Sequence, residues 1–214
     1  MTRSEAETRL VPYITSRKGE KPGRLADLKV VRGFDRKSGL GYQNERPEDR
    51  DVRGALWGRC SEKIGPLGMP VGEPQWRMVH PRRQRRVMER LLCQVCTRSA
   101  KTPDGYIFLA GPDENLDHKL VAQPPVCLGH VRASAEQCGH LKGRPKVFLV
   151  RSAPLYGVLG IRYQISRHGF KALPATKEPL PYGHAGQPWF LASQMVRSLN
   201  DATLLRINDL PPAA

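Results

Sequence analysis

The sequence predicts a mixed α+β fold in which short strands and brief helices alternate around a compact central unit. Three observations predict it. Gly and Pro supply 39 of the 214 residues, which interrupts the chain too often for a helical bundle or coiled coil. Several runs of four to ten residues carry the β-branched and aromatic content of strands. Residues 82–92 show a sustained helical period.

Taken in order, residues 1–24 are polar, with Pro12, Pro22 and Gly23, and are expected to form a mobile N-terminal arm. An apolar island from Leu10 to Ile14 suits an edge strand or docking segment. Residues 25–75 form a strand-bearing segment and linker. Strands are expected around residues 28–31 and 54–58, with an acidic loop between them. From 61 to 75 the chain alternates Gly65, Pro66, Gly68, Pro70, Gly72 and Pro74, which marks a connection and the best candidate boundary. Residues 76–145 form the central unit. Residues 76–80 read as a strand, and Pro81 at a first helical position opens the helix. Strand 105–110 and a helix-compatible stretch at 131–137 follow. Residues 146–214 are expected to form strand, helix and strand: a hairpin from 146–150 and 156–165, a helix over 189–199 by the spacing of Phe190, Met195 or Gln194, and Leu199, and a strand at 203–207.

Charge narrows the partners. The net charge is +15, and residues 77–101 hold eight Lys or Arg against one acid, Glu89. At about 100° per residue, Arg82, Arg83, Arg86 and Arg90 share one arc of the helix, opposite Val87, Met88, Leu91 and Leu92. A focused guanidinium face suits phosphate contact, so nucleic acid is the expected partner, with DNA placed first. The bland alternative is a solvated helix face. No apolar run approaches the ~20 residues of a membrane span. The first eight residues alternate charges without an apolar core, so a reducing, cytoplasmic location is expected.

Cysteine spacing supplies the strongest chemical signal. Cys93-Gln-Val-Cys96 and Cys127-Leu-Gly-His130 are two paired-ligand units 30 residues apart. Each pair presents two soft or borderline ligands on one side of a turn, and together they complete a tetrahedron for zinc. Cys138 and His140 are alternates for His130. If residues 128–138 form one helix, Cys138 stands about 16 Å along the axis from Cys127 and cannot share its ion. Four protein ligands leave no open position, which makes the expected Zn2+ structural. The alternative without metal is a set of buried thiols and satisfied histidines. Cys60, alone, reads as a small buried hydrophobe.

Knuckle, hairpin and a helix bearing the second pair resemble a treble-clef zinc finger, which implies a treble-clef-like zinc unit flanked by short strands and helices. The order Cys-x2-Cys, Asp117-His118, Cys127-x2-His130 is distantly similar to the HNH nucleases. That resemblance implies phosphodiester cleavage with Asp117 and His118 at a metal site, His118 activating water. The chain departs from the family in its asparagine, because Asn115 precedes His118. From about residue 50 onward the chain also resembles zinc-binding actinobacterial proteins carrying such cysteine pairs, a similarity that implies no activity. A third class is a zinc-stabilised protein-interaction or small-molecule-tailoring factor, with the Pro- and Gly-rich residues 173–188 and Tyr182, His184 and Trp189 lining a pocket. No phosphate loop, dinucleotide fingerprint, HExxH or GxSxG motif is present.

Overall fold

The computed structural model describes residues 10–32, 38–138, 141, 145–167 and 169–210. It is a mixed α+β structure, mostly strands, with two α-helices among the described residues. The strands are β1 (Thr15–Arg17), β2 (Leu28–Arg32), β3 (Ser38–Tyr42), β4 (Leu56–Trp57), β5 (Pro74–Val79), β6 (Lys101–Thr102), β7 (Gly105–Ala110), β8 (Leu120–Val121), β9 (Lys146–Ser152), β10 (Leu155–Ser166), β11 (Gly169–Ala172), β12 (Leu180–Pro181), β13 (Phe190–Ser198) and β14 (Asn200–Leu205). The arginine helix spans Pro81–Arg90, and a second, here the histidine helix, spans Leu128–Gln137.

Two sheets organise the molecule. One is antiparallel, in the order β14-β9-β7-β6; the other runs β11-β10-β13-β4, with β12 added to β10 and β8 to β13. Two of the connections between them are short, at 152–155 and at 198–200. The crossings lie side by side: Leu155 pairs with Arg197, Asn200 pairs with Ser152, and Ser198 N–H donates to Pro154 O. Buried Ala153 and Leu199 fill this corner with Phe108, Phe148 and Val150. Residues 146–150 and 156–165 are therefore strands as expected, but not partners in one hairpin. Pro154, which lacks an N–H, stands where the ladder would otherwise continue.

The helix expected over 189–199 is β13. Its apolar positions mimic a helical period because the strand carries a bulge. Gly160 pairs with Ala192 and Leu159 with Gln194, so Ser193 is an extra residue on β13. The inward phase then slips by one, from Phe190 and Ala192 to Met195.

Within 10–24, the Leu10–Ile14 island docks, one of the two roles expected of it, whereas Thr15–Arg17, expected to be mobile, form β1. Tyr13 and Ile14 are buried against Val87 of the arginine helix, and β1 pairs with β5. Burial of two large apolar side chains outweighs the local polarity of this segment. Met69, within the expected linker, packs on the same cluster. No helix among the described residues is long and apolar enough to cross a membrane.

The arginine helix is held at both ends. His80 is its N-cap, its Nδ1 accepting from Arg83 N–H at 3.4 Å, and Pro81 occupies the first turn. Leu91, at φ 51°, takes the left-handed conformation that ends it. Its inner face carries Gln84, which donates to Ala122 O and Met195 O and accepts from Met195 N–H. Buried Arg197 of β13 donates to Met88 O and Glu89 O near the helix C-terminus and also to Ala153 O. A cation there complements the helix dipole while tying the helix to the corner between sheets.

Candidate metal centre and the arginine helix

The arginine helix leads directly into the first ligand pair. After Leu91, a tight turn is closed by Cys93 N–H to Arg98 O at 2.8 Å and Thr97 N–H to Cys93 O at 3.0 Å. Thr97 adopts φ 63°, and Val95 N–H approaches Cys93 Sγ at 3.4 Å. This geometry turns both thiols of Cys93 and Cys96 to one side. The strands β6 and β7 then form the expected hairpin.

The second pair is brought up by backbone hydrogen bonds. Gln94 N–H donates to Pro125 O, and Val126 N–H donates to Ile107 O of β7, so residues 125–126 are stitched between the turn and the sheet. Cys127 follows as the N-cap of the histidine helix, with His130 in its first turn. A spacing of three residues places both side chains on one face. Beneath them lies a core of Val95, Ile107, Leu109, Val126, Val131 and Val147, to which Leu10 and Leu210 contribute from far along the chain.

Cys93, Cys96, Cys127 and His130 thus converge, their ligand atoms all within 4.8 Å of one another. Cys96 Sγ to Cys127 Sγ is 3.9 Å, Cys93 Sγ to His130 Nδ1 is 4.0 Å, and Cys127 Sγ to His130 Nδ1 is 3.1 Å. Tetrahedral zinc with Zn–S near ~2.3 Å and Zn–N near ~2.0 Å requires separations of about 3.5–3.8 Å. The cluster is compatible with a metal ion such as zinc. Its electrostatics point the same way. Burial, then the neighbouring Cys93 and Cys96 sulfurs, push the Cys127 thiol up to about 12. Three thiolates this close need a cation between them. Burial also raises Cys96, but hydrogen bonds from the Arg98 backbone and side chain prevail and leave it below the ordinary thiol value. Burial, with Arg98 nearby, lowers the His130 pKa and favours the neutral imidazole that a metal requires.

The alternates fare differently. Cys138 ends the histidine helix, where its N–H donates to Ser134 O, and it does not join the ligand group. A ten-residue helix separates it from Cys127, the distance anticipated from the rise per residue. His140 lies outside the described residues. Asp117 and His118 lie in a turn, with His118 at φ 54° and its Nε2 3.6 Å from Asp117 Oδ2. Asp117 Oδ1 accepts from Ala202 N–H, which ties the turn to β14. Among the described residues, neither joins a group of three metal-ligating side chains.

Of the four arginines on the predicted phosphate face, three are exposed and one is not. Arg82, Arg86 and Arg90 form an exposed stripe at intervals of four. Arg82 stands 3.4 Å from Glu62, and Arg86 donates to Tyr13 Oη at 3.3 Å. Arg83, by contrast, is fully buried and cannot meet a phosphate. Its Nη1 and Nη2 lie 3.0 and 2.6 Å from the two carboxylate oxygens of buried Glu20, and Nη2 also donates to Thr15 O. The docked N-terminal segment, which helical periodicity does not reveal, turns this side of the helix into core.

Sequence reasoning also missed Arg98 and Asp51. A basic residue two positions after Cys96 was the available signal for Arg98. Asp51 accepts from Trp57 Nε1, from the N–H groups of Arg53 and Ala55, and from Tyr182 Oη, and no motif marks it. Tyr182 is thereby a structural tie, and Trp189 packs beside Leu40 and Tyr163. Cys60 is half-buried, with burial raising its thiol pKa, which agrees with an unreactive side chain.

Comparison with family models, curated proteins and solved structures finds no match to this chain.

Proposed function

We propose that the protein binds nucleic acid, with a structural zinc in a treble-clef-like unit holding an arginine helix against the backbone phosphates. The observation that carries this reading is the exposed stripe of Arg82, Arg86 and Arg90 on the helix that runs into the Cys93–Cys96 turn. Support for zinc comes from three sulfurs and one nitrogen that converge within 4.8 Å of one another, and support for a structural role from a group of four protein ligands, with no fifth among the described residues. The order of turn, hairpin and ligand-bearing helix supports the treble-clef likeness. Neutral Nδ1 or Nε2 of His130 and the three thiolates would hold the ion. The chemistry it supplies is a fixed cross-link between segments 30 residues apart.

Electrostatic binding of this kind has a defined signature. Each phosphate neutralised contributes about −0.9 to the slope of log K against log salt on duplex DNA. Fluorescence anisotropy with a mixed-sequence duplex tests it directly. Salt-sensitive binding, weakened when Arg82, Arg86 and Arg90 are changed to Glu, is the expected result. Binding that ignores salt and survives those substitutions rejects the reading.

A further inference from the structure

A groove of about 1060 Å³ lies between the β2–β3 hairpin and the turn at 183–188, away from the metal ligands. Its lining includes Lys29, Arg32, Arg50 and Arg53 against a single carboxylate, Glu45. Glu45 is already committed: Oε1 lies 2.6 Å from Arg50 Nε and Oε2 3.1 Å from Arg50 Nη2. Lys29, Arg32 and Arg53 are exposed, and none of them has a carboxylate within ion-pair distance among the described residues. Lys29 Nζ donates to Gln43 O, and the Arg53 guanidinium sits 5.8 Å from the Tyr182 ring centroid. Neither contact neutralises charge. Among the described residues, three cations therefore line one concavity without a carboxylate paired to them.

The groove is also pre-formed. A Cβ on Gly39 would meet Pro188 O at 2.7 Å, so hairpin and turn are in contact at the base. The turn is tied internally by Gly183 N–H to Gln187 Oε1 and Gly186 N–H to His184 Nδ1, and externally by Gln187 Nε2 to Arg53 O. Its volume is at the upper end of the range for small-molecule sites, with an apolar wall of Val31, Leu40 and Pro188 beside the cations.

We propose that this groove is a second anion site, taking a ligand that carries two or more adjacent phosphates. Cations that line one groove match a polyphosphate better than an isolated carboxylate, because two guanidinium forks and an ammonium offer several donors to adjacent phosphate oxygens. Free nucleoside di- or triphosphates and the phosphorylated 5′ end of a nucleic acid share this chemistry. The site stands independently of the arginine helix, which contributes none of its lining.

Titration calorimetry at low salt, with pyrophosphate and ATP as probes, tests the proposal. Saturable binding is expected in the wild type. The double variant Lys29→Glu, Arg32→Glu is expected to weaken it at least about tenfold. Arg82→Glu, Arg86→Glu, Arg90→Glu should leave it within about twofold. Competition against ATP by a 5′-triphosphorylated but not a 5′-hydroxyl oligonucleotide would identify the nucleic-acid end as a ligand, and competition by neither oligonucleotide would identify the free nucleotide. As a readout independent of variant folding, ATP should protect Lys29 from acylation in the wild type while exposed Lys18 still reacts. No saturable binding at millimolar probe, equal binding by the groove variant, or unchanged labelling of Lys29 overturns the assignment.

Discussion

Arg83 shows how much one side chain can depart from the pattern that contains it. Helical periodicity places it beside Arg82 and Arg86, yet Glu20 reaches it from 63 positions away. The pair is buried, and Glu20 also accepts from the N–H groups of Arg17 and Lys63. Removing the cation while leaving the carboxylate buried costs about 3–5 kcal/mol, so Arg83→Met is expected to lower the unfolding free energy by that amount in urea titration. Burial alone would raise the Glu20 pKa, but those backbone bonds and Arg83 bring it below the ordinary carboxylate value of 4.5. A depressed native pKa gives stability that is complete above pH 4.5 and lost as pH falls through the lowered value. His80 also favours its deprotonated form, which for an imidazole is the neutral one. Burial lowers its pKa from 6.5, so the neutral ring is favoured in the fold and stability declines as pH drops below 6.5. Acid unfolding should therefore begin near pH 6.5 and steepen below 4.5. A His80→Gln variant is expected to diminish the first phase, to which His130 contributes with the same sign, and a profile flat from pH 7 to 5 in the wild type would contradict the assignment.

At the scale of elements, the sequence is informative where a single interaction sets local structure. The arginine helix was legible from Pro81 and its apolar stripe, and the ligand pairs from their spacing, because both depend on neighbours within one or two turns. The Cys138 alternate was separable by arithmetic on helix rise. β13 was not legible, since its bulge at Ser193 imitates a helical period and its partners are 28 or more residues away. Arg197, within that same strand, connects the helix end to the corner between sheets. Its side chain is buried, so Arg197→Leu removes a donor from three carbonyls and is expected to cost about 2–4 kcal/mol by thermal or chemical denaturation. Loss below about 0.5 kcal/mol would show that the corner closes without it. Chelation acts on another element pair. If the ion cross-links turn and histidine helix, a strong chelator should lower the melting temperature by about 10 °C or more and open residues 91–100 to proteolysis.

The whole molecule combines two sheets joined at one corner with a surface that is strongly cationic. Fold class was recoverable from composition and segment patterning, which average over many residues. Sheet order, the surface on which the Leu10–Ile14 island docks and the pairing of Arg83 were not, because they arise from contacts of high sequence separation. Net charge of +15 is a property of the entire chain, but only its arrangement decides what it does. With Arg83 buried, three arginines remain on the helix stripe. Charge reversal of Arg82, Arg86 and Arg90 should therefore reduce the steepness of the salt dependence on duplex DNA by about 2–3 in log–log slope. An unchanged slope would move nucleic-acid contact, if any, to another face.

The account rests most directly on the ion that joins residues 93–96 to residues 127–130. Zinc K-edge absorption spectroscopy on purified protein, with metal counted per chain, measures it. The expected result is about one zinc per chain with three sulfur neighbours near ~2.3 Å and one nitrogen near ~2.0 Å, the sulfur count falling in Cys127→Ser. Substoichiometric metal after purification without chelator, or a shell dominated by oxygen, would contradict it.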